Sequence, residues 1–311
     1  MQAYRVNIDY EYFLFDPHYQ ASTAKYQKMI EEWEYIYWYC DNSGTLLTQK
    51  NYPTIELKKI EKIINAEVKL TKQTDKVINW FGDTTNKELM QKCNSRVYST
   101  QWALNENLLD TNQTKILPTL PEELPAGYLM KEEGGFSGMG IHQSLKKCRP
   151  PVIVEPYYER TGDFSVLFIE GKPHFYQNKI DNKFQYKGSV VKNAQAWELR
   201  DLDLSDEHKS IASEVSQKIF KHYHQMSPQA VWGYDFFTYE QNGKSKIYPV
   251  NEVNFRKTLG YFFIKLCTHL GKSAEGAQLV FETAHIPKNF SGEIVSVSPK
   301  ANKFQLSLLL T

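Results

Sequence analysis

Apolar and polar positions change rhythm several times along the chain, and each rhythm predicts a different element. Near the start, short apolar runs ("RVNIDYEYFLF", "WEYIYWYC", "KVINWF") alternate with the helix-compatible stretch "TIELKKIEKIINAEVKL". That is the pattern of a small α/β unit over residues 1–95, and it contains no glycine fingerprint for a nucleotide. The aromatic run "WEYIYWY" reads as core or interface. A helix is expected around 98–109, followed by a proline-marked linker, "ILPTLPEELPAG". Strand-like runs then come in quick succession: "YLM", "PVIVEPYY" and "FSVLFIEGKPHFYQ", the last folding into a hairpin at "IEGKP". Residues 205–225 predict a helix. Ser205 can cap it, Asp206 and Glu207 suit its positive end, and Ile211, Val215 and Ile219 form a stripe. His222 and His224 lie about 200° apart around that axis, so they do not share a metal from one helix.

The segment after this helix is the most informative. "VWGYDFFTYE", "QNGK" and "SKIYPVNEVNF" make a β-hairpin signal around Asn242-Gly243, the favoured residues of a tight primed turn. A two-residue loop sets Asp235 opposite Val250 and on the same face as Glu252 and Asn254, with Arg256 two residues further along that row. Asp235 and Glu252 are then diagonal neighbours, roughly 7–8 Å apart at the backbone. Two carboxylates and an amide oxygen on one face can share hard divalent cations, and Mg²⁺ takes one or two protein carboxylates plus phosphate oxygens. A wet strand face is the plainer alternative.

A candidate phosphate site lies upstream, in "YLMKEEGGFSGMGIHQ". Gly134, Gly135, Gly138 and Gly140 leave backbone amides accessible, Ser137 adds a hydroxyl, and Lys131 can neutralise a phosphate. A plain surface turn is the other reading of this stretch. The loop is not a Walker A loop, which needs GK[ST] entering a helix, nor a dinucleotide fingerprint, which needs a helix after its glycines. It is expected to join two antiparallel strands. Downstream, "VIVEPYYERTGDFSV" places Glu155 at the end of one strand and Asp163 at the start of the next. Such a linker can read adenine with its backbone, while Asp163 accepts from ribose hydroxyls.

Composition narrows the partners. Hydrophobic residues make up 41% of the 311, as in a globular protein, and 37 basic against 36 acidic side chains leave no field for nucleic acid or an anionic membrane. Cys40, Cys93, Cys148 and Cys267 are too far apart for a CxxC knuckle and too few for a disulfide framework, so isolated thiols are expected. The start lacks a basic region followed by a long apolar one, and no run of about 18 apolar residues occurs. A cytoplasmic protein is expected.

The order of these motifs resembles the ATP-grasp superfamily over residues of roughly 95 to 275. It runs from a lysine strand and glycine-rich loop, through an acid-ended strand and a second acid, to a helix, an Asp strand and a Glu-x-Asn strand. The resemblance implies two α+β subdomains clasping ATP (residues 96–175 with the glycine loop, 176–311 with the metal site), preceded by the α/β unit. It gives Lys131, Gly135, Ser137, Gly138 and Gly140 to the phosphates, Glu155 and the Tyr157 backbone to adenine, and Asp163 to ribose. Asp235, Glu252 and Asn254 become ligands of Mg²⁺, with Mn²⁺ the alternative ion, and Arg256 stands near the reacting phosphate. Members usually have another nucleotide-contacting lysine upstream, and here Lys92, Arg96 and Lys115 all remain candidates. Lys179, Lys183 and Lys187 fall where members carry a variable loop that can touch substrate. The implied activity is a ligase that joins a small-molecule carboxylate, or a peptide, to an amine through an acylphosphate. A kinase on the same site and a non-catalytic nucleotide-binding scaffold stay open, as does a homodimer.

Overall fold

The chain lays down three sheets in sequence order, seen in a computed structural model that describes residues 2–135, 139–145, 148–181, 183–270, 276–281, 286 and 289–311. The first sheet comes from β1 (Gln2–Arg5), β2 (Leu46–Leu47), β3 (Leu70–Thr71) and β4 (Lys76–Asn79), parallel in the order β3-β2-β1-β4. Helices α1 (Tyr10–Phe15), α2 (Ala24–Trp33), α3 (Ile36–Cys40) and α4 (Thr54–Ile64) lie in its connections. The run Tyr35 to Cys40 is buried, so the aromatic stripe is core, as its pattern predicts.

Two capped helices lead out of this unit, α5 (Lys87–Asn94) and α6 (Arg96–Asn105). Ser95 accepts from the Tyr98 N–H and so starts α6, which makes Arg96 its first residue. The second sheet is antiparallel, built of β5 (Lys115–Leu117), β6 (Tyr128–Glu132), β7 (Ile141–His142) and β8 (Val152–Pro156) in the order β5-β8-β6-β7. The glycine loop joins β6 to β7, two antiparallel strands as expected.

The third sheet takes β9 (Arg160–Ile169), β10 (Lys172–Ile180), β11 (Tyr186–Val191), β12 (Val231–Gln241), β13 (Lys244–Asn254), β14 (Ala277–Phe281), β15 (Glu293–Ser296) and β16 (Leu306–Leu310). Its order is β13-β12-β9-β10-β11-β14-β16-β15. Helix α7 (Asp206–Met226) begins at the Ser205 cap, and α8 (Leu259–Leu270) follows β13. The expected border at residue 175 falls inside β10. Sheets two and three part instead between residues 156 and 160, where the chain leaves Pro156 and re-enters at Arg160.

Two cores follow from this layout. A large one runs from the first sheet into the third, tied by the Tyr39 hydroxyl donating to the Val297 carbonyl at 3.1 Å. Among the described residues the second sheet has a small core of its own, around Met130, Cys148, Val152 and Val154. A layer with so little shared core is the part of the molecule best able to move against the rest.

The hairpin departs from simple pairing in one informative way. Gln241 pairs with Lys244 and Phe237 with Tyr248 as a two-residue turn requires, with Asn242 and Gly243 both at positive φ. The register then shifts between Asp235 and Phe237, so Asp235 faces Glu252 and not Val250. Pro249 sits inside the shifted stretch and has no N–H to give the ladder, which favours a bulge there. The shift is even, so Asp235, Glu252 and Asn254 still share a face, now with the two acids directly opposed.

Candidate functional site

The bulge decides which side chains meet. Asp235, Glu252 and Asn254 line a cavity of about 120 Å³, and Asn251, carried on the bulged stretch, reaches it too. Asp163 of β9 and Asn178 of β10 form its floor with Phe164, and Arg96, Arg160 and Arg256 bring positive charge to its walls. Arg256 lies beyond the end of β13, so the connection into α8, and not the strand row, delivers it.

Each cation here is held by a carboxylate. Arg96, 2% exposed, sends Nε to Glu252 Oε1 at 3.0 Å and Nη2 to the same oxygen at 2.9 Å. Its remaining hydrogens go to the glycine loop, to the Gly135 carbonyl at 2.9 Å and the Met139 carbonyl at 3.1 Å. Gly135 and Gly140 both have positive φ, and a Cβ on either would stand within 3.2 Å of the Arg96 guanidinium. The loop is therefore glycine-rich partly because an arginine lies beneath it. Arg160 pairs with Asp163 at 2.6 Å and lies over the Phe237 ring. Arg256 donates from Nε to Glu11 of α1 at 2.8 Å.

Lys131 and Glu155 form the fourth pair, at 2.6 Å and behind the cavity wall. They reach it through Asn251, whose Oδ1 accepts from Lys131 Nζ at 2.8 Å. The other Glu155 oxygen accepts from the Tyr248 hydroxyl at 2.7 Å. Burial pulls the Lys131 ammonium below the usual lysine range, against the opposing pull of Glu155.

Asp235 is placed differently. It accepts from Ser165 through one oxygen and from Asn254 Nδ2 at 3.0 Å through the other. Burial pushes its carboxyl up to about 7, with the neighbouring Glu252 charge adding to the rise and the two hydrogen bonds opposing it. Burial also raises Asp163, with Arg160 opposing. Two acids facing each other across strands repel unless a cation lies between or beside them, and here the cation is Arg96.

The remaining expected residues scatter. Tyr157 is 43% exposed, and its N–H is already donated to the Gly127 carbonyl at 2.7 Å, within the fold. Ser137 and Gly138 lie outside the described residues. Of the three upstream basic candidates only Arg96 lines the cavity; Lys92 opens onto another groove and Lys115 is exposed. Among Lys179, Lys183 and Lys187 none lines it, and Lys187 pairs with Asp181 at 3.4 Å. Sequence reasoning did not single out Arg160, Asn178 or Asn251. Arg160 stands three residues before Asp163 in "ERTGD", and Asn251 adjoins Glu252, which are the signals that could have found them.

No protein-family model matches the chain, and no curated protein matches it in sequence. Solved structures do match. A protein of Archaeoglobus fulgidus described as of the ATP-grasp superfamily aligns at 14% identity and TM-score 0.44, over 86% of this chain and 76% of its own. The N5-carboxyaminoimidazole synthetase of Staphylococcus aureus, complexed with ADP, aligns at 11% identity and TM-score 0.53, over 92% of this chain and 90% of its own. A second structure of the same synthetase aligns at 10% identity and TM-score 0.51, over 92% of this chain and 91% of its own. The chain has the ATP-grasp fold. The second sheet carries the glycine loop, and the third sheet carries the face of Asp235, Glu252 and Asn254. At about 120 Å³ the cleft between them is smaller than the roughly 300 Å³ at which ligand pockets begin. Arg96 spans it, bonded to Glu252 on one side and to the glycine-loop carbonyls on the other.

Proposed function

We propose that the chain is an ATP-dependent carboxylate–amine ligase acting through an acylphosphate. The observation that supports this reading above the others is the set of paired charges around the cleft: Arg96 with Glu252, Arg160 with Asp163, Arg256 with Glu11, and Lys131 with Glu155. A polyphosphate entering such a site can take Arg96 and Lys131 as partners and leave Glu252 free beside Asp235 and Asn254. Those three residues offer hard oxygen donors on one face, two of them directly opposed across the hairpin, and so fit a Mg²⁺ ion, or Mn²⁺ in its place. When bound, that ion neutralises phosphate charge and orients the γ-phosphoryl group.

The chain's own residues do the rest. Arg96 and Lys131 hold phosphate oxygens, and the glycine loop shuts water out of the cleft. A carboxylate substrate attacks the γ-phosphorus, ADP leaves, and an amine then displaces phosphate from the acyl carbon. Arg256, its Nε fixed by Glu11, steadies the oxygen charge that develops in both transfers. The ADP complex of the S. aureus synthetase, which shares the fold, supports a nucleotide as the occupant.

The test is a screen of amino acids and peptides for stimulated ADP formation, with hydroxylamine present to trap the activated acid as a hydroxamate. Calorimetry with a non-hydrolysable ATP analogue and Mg²⁺ runs beside it. Binding is expected in the wild type, and Glu252→Gln should abolish turnover with the fold intact. A stable phosphorylated acceptor with no condensed product would replace the ligase by a kinase. An absence of nucleotide binding would remove both.

A further inference from the structure

The face of the glycine-loop hairpin that points away from the cleft carries a second cluster of metal-ligand chemistry. Lys131 and Ile141, paired across β6 and β7, belong to the cleft face: Ile141 lines the cavity and Lys131 bonds Asn251. The flanking pair Met130 and His142 therefore points the other way, as does Glu132. Cys148 comes in beside them ahead of β8, and the three residues put Glu132 carboxylate oxygen, His142 nitrogen and Cys148 sulfur within 4.8 Å of one another.

We propose that Glu132, His142 and Cys148 bind one zinc-class divalent transition-metal ion that staples the glycine-loop hairpin to β8. Four observations carry this. Among the described residues His142 Nε2 is buried with no hydrogen-bond partner and only an ion-pair contact to Glu132, which leaves its lone pair for another ligand. It stands 3.4 Å from Glu132 Oε1, close to the roughly 3.3 Å that separates two nitrogen or oxygen ligands of tetrahedral zinc. Sulfur, imidazole and carboxylate together suit zinc and its neighbours and not Mg²⁺ or Ca²⁺. Glu132 is also oriented by the Arg149 N–H, which donates to its Oε1 at 3.0 Å, the kind of outer hydrogen bond that holds a ligating carboxylate in place. The Arg149 side chain, 3.4 Å from the other oxygen, is largely exposed and free to move aside.

The place explains the use. Among the described residues this layer's own small buried cluster is Met130, Cys148, Val152 and Val154, so Cys148 is part of it. Small units with too little apolar surface are commonly held by a metal, because the binding free energy enters the folding free energy. An ion here would fix the distance between the end of β6 and the start of β7. The proposal does not depend on the reading of the cleft.

The experiment uses the full chain, stripped with a chelator and dialysed, then titrated with Zn²⁺ and, separately, with Co²⁺. The Co²⁺ complex should show a sulfur-to-metal charge-transfer band in the near ultraviolet, which the all-oxygen face of Asp235, Glu252 and Asn254 cannot give. Cys148→Ser should remove the band, and His142→Ala should weaken Zn²⁺ binding at least tenfold. Zn²⁺ should raise the protease resistance of the wild-type chain but not of Cys148→Ser. Circular dichroism checks that each variant is folded; where one is not, the wild-type titration decides. Absence of the band in the wild type, or unchanged Zn²⁺ affinity in both folded variants, overturns the proposal.

Discussion

Glu34 and Glu155 are both buried, at 1% and 2% exposure, yet they are held in opposite ways. Among the described residues Glu34, in the N-terminal unit, receives only hydroxyls at its carboxylate: Thr48, and Tyr52 at 3.1 Å. Burial pushes its carboxyl up to about 7, opposed by those two bonds and by the more distant Lys50. Glu155, under the glycine loop, receives the Lys131 ammonium at 2.6 Å and the Tyr248 hydroxyl. A buried acid among neutral donors keeps its proton near neutrality and serves packing. A buried acid against a cation stays ready to exchange that cation for another ligand. Both devices occur in both regions: Asp235 in the cleft is held by the neutral Ser165 and Asn254, and the buried Asp9 of the N-terminal unit by Arg5.

The largest effect expected from this contrast comes from breaking the Lys131–Glu155 pair on one side only. Lys131→Met leaves Glu155 buried with Tyr248 alone and should cost about 3–5 kcal/mol, measured by urea unfolding. The double variant Lys131→Met/Glu155→Gln should recover most of that loss while nucleotide binding stays absent. Equal stability of the single and double variants would show that the pair does not carry the charge balance assigned to it.

How far the site could be read from the sequence follows the distance over which its contacts run. Asn242-Gly243 and the alternation around it located the hairpin, and the common face of Asp235, Glu252 and Asn254 came with it. The direct opposition of Asp235 to Glu252 was missed because Pro249 was not used as a bulge signal, although the missing N–H is visible in the sequence. Arg96 could not be separated from Lys92 and Lys115, because its choice depends on a partner 156 residues away. The Arg256–Glu11 pair spans 245 residues, and no local pattern in α1 announces it. Motif order located the cleft; counter-ions drawn from other layers were set by packing.

A second test acts on the Arg256–Glu11 pair. Arg256→Ala alone would strand the buried Glu11, so the substitution belongs in a Glu11→Gln background that keeps the region neutral. There it should depress kcat by about 10²–10³, some 2.7–4 kcal/mol, with little change in nucleotide Kd, because the group acts on charge that develops during transfer. A fall confined to nucleotide affinity would move Arg256 from the reacting centre to ground-state binding.

The smallest effect should come from Glu34, and its sign is fixed by linkage. Its carboxyl sits at about 7 in the folded chain against an ordinary value of 4.5, so between those limits the folded state holds more protons than the unfolded one. The contribution of the protonated acid is therefore complete below about 4.5 and is lost as pH rises through 7. Glu34→Gln imitates the protonated form and keeps an oxygen to accept from Thr48 or Tyr52. Its unfolding midpoint relative to wild type should climb as pH rises from 4.5 to 7.5 and then level off, a gain of about 3 kcal/mol. The matching change at the cleft, Glu155→Gln, should bring no such gain, since it removes the partner of a buried ammonium. Parallel pH curves for Glu34→Gln and wild type would mean that Glu34 is already ionised near neutrality. The hydroxyl-held and cation-held acids would then not differ in the way their surroundings imply.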